Sequence, residues 1–87
     1  MKFVNIGFNN MISVERIVAL ISPDSAPAKR LVQDAKDSGR AVDCSSGRKT
    51  RAVIVTDSDH VILSSVTTDK ITARIAGEEA EDEDNEQ

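Results

Sequence analysis

The chain has 87 residues, 39% hydrophobic and 30% charged, with a formal net charge of −4. That length allows one domain of ordinary size. No apolar run reaches the ~18–20 residues that a membrane span needs, and no basic-then-apolar leader opens the chain. A single cysteine, Cys44, excludes an internal disulfide, so the default expectation is a cytoplasmic protein. Only Phe3 and Phe8 are aromatic, and both read as core residues. A core this poor in large side chains favours oligomerisation, since small domains often need a staple, a metal or a partner subunit.

Residues 2–8 alternate and predict a short strand, followed by an Asn9-Asn10 turn. Residues 11–21 are rich in β-branched side chains and predict a second strand. Its alternation places Arg16 among Val14, Val18 and Leu20 on an otherwise apolar face. Ser22-Pro23-Asp24-Ser25 breaks that strand and caps a helix over roughly 25–38. Pro27 falls in its first turn and Gly39 ends it. Ala28, Leu31, Val32 and Ala35 make its apolar stripe. Three antiparallel strands are expected at 41–45, 51–57 and 60–66. Gly47 lies in the turn between the first two and Ser58-Asp59 between the last two. Thr67-Thr68-Asp69 caps a short helix with Ile71 and Ile75 on one face, ended by Gly77. The expected class is α+β: a small antiparallel β-rich domain of about five strands with two helices.

Charge divides the chain. Residues 78–87 hold seven acids and no base, whereas residues 1–77 hold eleven bases and eight acids, a net +3. The expected organisation is a domain over 1–77 and a disordered acidic tail over 78–87, since the tail has no apolar side chain larger than alanine. Such a block is usually a solvated tail. It could also mimic nucleic acid and compete for a basic face.

Few residues suggest catalysis. One histidine and one cysteine cannot build a Cys/His metal set. His60 beside a turn reads as structural or solvated, and Cys44 as a small core residue. Asp57 and Asp59 could hold a cation or transfer protons, but Asp is an ordinary turn residue and the calcium-loop glycine and distal glutamate are missing. No phosphate-loop or nucleophile-elbow motif is present. A cofactor, a metal and a small-molecule substrate are not expected, and an enzyme is the weaker class.

The bases are more informative. Gly47-Arg48-Lys49-Thr50-Arg51 puts three positive charges in five residues at a predicted hairpin tip, where phosphate contacts are easily made. Lys29 and Arg30 add charge near the start of the first helix. With almost no aromatic rings for base stacking, duplex DNA is a better expected partner than a single strand. The competing reading is a solvated set of surface charges, or an oligomeric scaffold whose basic surface meets an acidic protein.

Three stretches then resemble one family. They are Asn5-Ile6-Gly7-Phe8 with Asn10; Ile21 to Pro27 with Lys29-Arg30; and Gly47 to Val53 with Asp57-Ser58-Asp59-His60. Together, over residues 2–76, they are similar to the RemA family of bacterial extracellular-matrix regulators. The resemblance implies a DNA-binding transcription regulator of biofilm matrix genes, with a LytTR-like fold. It also implies subunits assembled into a ring whose arginines bind DNA. The family's second-strand arginine matches Arg16, and its paired basic residues match Arg48 and Lys49. The family typically has Arg-Arg there. Lysine keeps the charge but loses bidentate phosphate geometry. Ser46 stands where relatives can carry tyrosine. The DNA-binding set expected is thus Arg16, Arg48, Lys49, Arg51, Lys29 and Arg30.

Overall fold

A computed structural model describes residues 1–78. The acidic tail expected over 78–87 therefore lies, apart from Glu78, outside the described residues. In chain order the elements are β1 (Phe3–Asn5), β2 (Met11–Ser13), a 3-10 turn (Val14–Arg16), β3 (Ile17–Ile21) and α1 (Ala26–Asp37). Then follow β4 (Ala41–Asp43), β5 (Ala52–Thr56), β6 (Val61–Ser64) and α2 (Thr68–Ile75). β1 and β2 form a two-stranded antiparallel ribbon, and the other four strands form one sheet in the order β3-β5-β6-β4.

The layers follow from alternation along β5, the central strand. Val53 faces α1 and packs with Ala35, Val61 and Leu63. Ala52 and Ile54 face the opposite way, against Val4, Ile6 and Ile12 of the ribbon segment and Ile71 of α2. Both faces of the sheet are thereby covered, one by α1 and the other by the ribbon with α2. In the apolar stripe of α1 the small residues Ala28 and Ala35 are buried, and Leu31 and Val32 pack partly buried beside them. Sandwiching one sheet between two covers is how 78 residues with few bulky side chains still bury a core.

Capping residues set both helices. Ser25 Oγ accepts from the Ala28 amide at 3.2 Å, and Thr67 Oγ1 accepts from the Lys70 amide at 3.2 Å. Both helices end in a Schellman motif. In α1 the Arg40 amide reaches Ala35 O at 2.8 Å and the Gly39 amide reaches Lys36 O at 3.3 Å. In α2 the Glu78 amide reaches Ala73 O at 2.8 Å and the Gly77 amide reaches Arg74 O at 3.1 Å. α2 is tied to β1 by the buried Arg74, whose Nη1 donates to Asn5 O at 2.9 Å.

Three expectations need correction. The strand predicted over 11–21 is broken by the 3-10 turn at Val14–Arg16, so Arg16 leaves the apolar face and stands exposed. Phe3 is not core: it is 50% exposed on the outer side of the ribbon, where Met11 is 53% exposed. The segment 41–45 does not form a hairpin with 51–57. β4 pairs in parallel with β6, while β5 and β6 form the predicted antiparallel hairpin. β6 is thus slotted between β4 and β5, and residues 44–51 are a crossover loop rather than a hairpin tip. The Cys44 amide bonds to Leu63 O at 2.8 Å and the Arg51 amide to Ser64 O at 2.8 Å, so the loop spans the end of β6.

Candidate nucleic-acid interface

Strand directions gather the basic loop and both helix starts at one end of the sheet. Ile21 at the end of β3 pairs with Val53 near the start of β5, and Ser64 at the end of β6 pairs with Ala52. The turn into α1, the turn into α2 and the 44–51 loop therefore meet. Between them lies a cleft of about 220 Å³ lined by Ser22, Pro23, Asp24, Lys49, Thr50, Arg51, Thr67 and Thr68. A smaller cleft of about 110 Å³ is lined by Arg48, Lys49, Arg51 and Ser65. Lys49 and Arg51 border both. Among the described residues, neither of their side chains is held in a hydrogen bond or ion pair.

The loop is shaped by residues on either side of these bases. Asp43 Oδ1 accepts from the Ser45 amide at 2.9 Å and from Ser45 Oγ. These hydrogen bonds from the Ser45 hydroxyl and amide, with Lys36 nearby, hold the Asp43 carboxyl below its ordinary range. The Arg48 amide then closes onto Ser45 O at 3.0 Å, with Ser46 and Gly47 both at positive φ. This tight turn commits the next three side chains to the open end of the sheet, where all of them are exposed or half-exposed. Each helix start adds a partial positive charge, which with Lys49 and Arg51 makes the cleft favour an anion. Asp24 is the opposing charge on its wall, with Ser22 Oγ 3.4 Å from its carboxylate.

The predicted residues do not form one patch. Arg48, Lys49 and Arg51 share the cleft end. Lys29 and Arg30 are exposed near the start of α1, one turn beyond Asp24, and do not line the cleft. Arg16 lies at the other end of β5: its Nε donates to Asp57 Oδ1 at 2.8 Å, and the Asp57 amide bonds to Arg16 O at 3.0 Å. Arg51 and Asp57 bracket β5 and are six residues apart, so roughly 20 Å separates the two basic places. Of the cleft hydroxyls, Thr50 sits within the basic run and is legible there as a hydrogen-bonding partner for phosphate, whereas Ser22, Thr67 and Thr68 carry no such signal in the sequence. Thr67 was legible only as a helix cap, and nothing local in the sequence puts that cap beside residue 50.

The catalytic alternatives gain little. Asp57 is engaged by Arg16, and His60 Nδ1 shares a hydrogen bond with Ser58 Oγ at 2.8 Å on an exposed turn. Among the described residues no group of three His, Cys, Asp or Glu is placed to hold a metal ion. Burial raises the thiol pKa of half-buried Cys44, with the Asp43 charge adding to it, so a reactive thiolate is disfavoured. No helix among the described residues is long and apolar enough to cross a membrane.

Comparison with known proteins agrees with a regulatory role. The family described as "RemA-like: Extracellular matrix regulatory protein A-like" matches residues 3–75. A relative in Geobacillus thermodenitrificans is 58% identical over 77 residues, 88% of each chain. One in Clostridium botulinum is 52% identical over 85 residues, 98% of this chain and 93% of its own. One in Acetivibrio thermocellus is 54% identical over 82 residues, 94% of this chain and 88% of its own. Each of the three carries the name "Putative regulatory protein". With residues 3–75 matched, the chain belongs to the RemA-like family of regulatory proteins.

Proposed function

We propose that this protein is a transcription regulator, of the biofilm and extracellular-matrix type, that binds duplex DNA through the phosphate backbone. It does so as a ring-shaped homo-oligomer in the cytoplasm. The observation that carries the reading is the pair Lys49 and Arg51. They are free of ion pairs among the described residues and stand between two clefts at the end of the sheet where both helices start. Phosphate oxygens take the donors available there: ammonium, guanidinium and hydroxyl groups. Arg48 extends this surface, and Lys29 and Arg30 add exposed charge outside the cleft, near the start of α1. Arg16 supplies a second contact roughly 20 Å away along β5, suited to a different phosphate of the same duplex or to the neighbouring subunit. One subunit offers few cations. Linked copies of the cleft act at high effective concentration and turn weak contacts into useful affinity.

Fluorescence anisotropy of labelled duplex DNA tests the reading. Log K should fall linearly with log salt, with a slope of ~−0.9 per phosphate neutralised. The double variant Lys49→Ala/Arg51→Ala should bind more weakly on every sequence and flatten the slope by ~2 per subunit engaged. Salt-independent binding, or none by the folded protein at low salt, would overturn it. Capture of one acidic protein in place of DNA would assign the same surface to a scaffold.

A further inference from the structure

The cleft and the acidic segment fit each other in charge, chemistry and reach. α2 begins at the cleft, since Thr67 and Thr68 line it. Its eight residues carry the chain only ~12 Å away. The Schellman turn at Gly77 then stops the helix, and Glu78 already folds back onto Ala73 O. Nine residues follow Glu78, a length that can span up to ~30 Å when extended. The return distance is less than half of that. Seven of the ten residues from Glu78 onward are Glu or Asp, and the remainder offer no apolar side chain larger than alanine. This segment therefore has carboxylates to offer and no apolar group to dock.

Two other basic places on the domain, Arg16 and Arg40, suit it less. Arg16 is held by Asp57 at the far end of β5. Arg40 is engaged by Ser38 Oγ at 2.7 Å and Asp59 O at 2.8 Å. At the cleft, Lys49 and Arg51 have no such partner among the described residues, and four hydroxyl side chains stand beside them.

We infer that the acidic segment Glu78–Gln87 of the same chain is the resident occupant of the Lys49/Arg51 cleft, and that an incoming polyanion has to displace it. A carboxylate uses the same ammonium, guanidinium and hydroxyl donors as a phosphate, so the two compete for one set of groups. A short flexible tether gives an effective concentration of ~1 mM. A contact with an intrinsic Kd of ~0.1 mM would then weaken competing anions about tenfold at low salt. Screening removes most of that effect by ~0.5 M salt. The consequence for DNA rests on the function proposed above; the contact itself does not.

Zero-length carbodiimide coupling of the full-length protein at ~50 mM salt, read by peptide mass spectrometry, tests the contact without DNA. At that salt the Debye length is above ~10 Å. Lys49 should couple to carboxylates between Glu78 and Glu86 in preference to Lys29, Lys36, Lys70 and Lys2, whose Nζ bonds to Ile75 O near the start of the segment. The product should disappear at ~0.5 M salt. It should also disappear in a full-length variant whose seven acids from Glu78 onward are changed to Gln or Asn. That variant should bind labelled duplex about tenfold tighter at low salt and equally at high salt. Preferential coupling with no DNA binding by either protein keeps the contact and overturns the DNA reading. Equal DNA affinities with no coupling at Lys49 overturn the contact and leave the DNA reading standing. Tighter binding with coupling spread over all lysines overturns cleft occupancy in favour of a general charge effect. Coupling only between isotopically distinct copies in a subunit mixture overturns the assignment to the same chain.

Discussion

Arg16 and Asp57 are 61% and 47% exposed at their side chains, which limits what their ion pair contributes to folding. Exposed pairs are worth ~0.2–1 kcal/mol because water screens them and two side chains lose rotamer freedom. Arg16→Ala should therefore lower urea-measured stability by less than ~1 kcal/mol while weakening DNA binding. A loss of ~3–5 kcal/mol would instead mean that the pair is desolvated in a subunit interface. Asp43 makes a different residue-scale prediction. Its folded carboxyl is held below the ordinary 3.8, mainly by the Ser45 hydroxyl and amide. A depressed folded value means the carboxylate's stabilisation is complete above that ordinary value and is lost as pH falls through the folded one. The difference in Tm between wild type and Asp43→Asn should be constant from neutral pH down to about 4 and shrink below it. A difference that grows on acidification would contradict this account.

At the scale of elements, what was legible was local. Both helices follow from capping residue, apolar spacing and terminal glycine, and their observed ranges fall within a residue or two of those expected. The β5–β6 hairpin follows from two apolar runs around Ser58-Asp59, with Asp59 taking the positive φ of 68° that the turn requires. What failed was non-local. A loop of Ser, Gly and basic residues looks the same in sequence whether it closes a hairpin or crosses the end of a third strand. The eight residues between Asp43 and Ala52 were the available warning, since hairpin loops usually run to 2–5. The site divides the same way. The cations of the 48–51 run were visible as a local cluster, but the hydroxyls opposite them arrive from two distant turns. Likewise, β-branched content in 11–21 did not reveal the 3-10 turn that takes Arg16 off the sheet. The ribbon turn yields a prediction of its own. Gly7 is buried at φ +109°, and an added Cβ would lie 3.2 Å from Val66 Cγ2. Gly7→Ala should cost ~1–3 kcal/mol from backbone strain alone, with additional loss if Val66 cannot shift. A variant as stable as wild type in thermal melts would show that the ribbon can be remodelled freely.

At the scale of the whole molecule, the two edges of the four-stranded sheet differ. β4 is three residues long and ends in Asp43, so it makes a poor template for another strand. β3 is longer and entirely apolar, Ile17 to Ile21, yet none of its five residues is fully buried and Val18 is 66% exposed. Its single defence is a register shift between Ile17 and Ala19. It carries neither the charges nor the proline that usually protect an edge. On the proposed function this edge is where a second copy docks, which lets a domain with little aromatic bulk bury more apolar surface between subunits. Val18→Lys places an unpaired charge at that contact. It should convert the oligomer to smaller species in sedimentation velocity while leaving circular dichroism unchanged, because the side chain is solvent-facing within one subunit. DNA affinity should fall with it even though no cation near the cleft has changed, since separated subunits lose the gain from linked sites. Unchanged mass in the variant would move the interface elsewhere, and a monomeric wild type would remove the ring from the proposal.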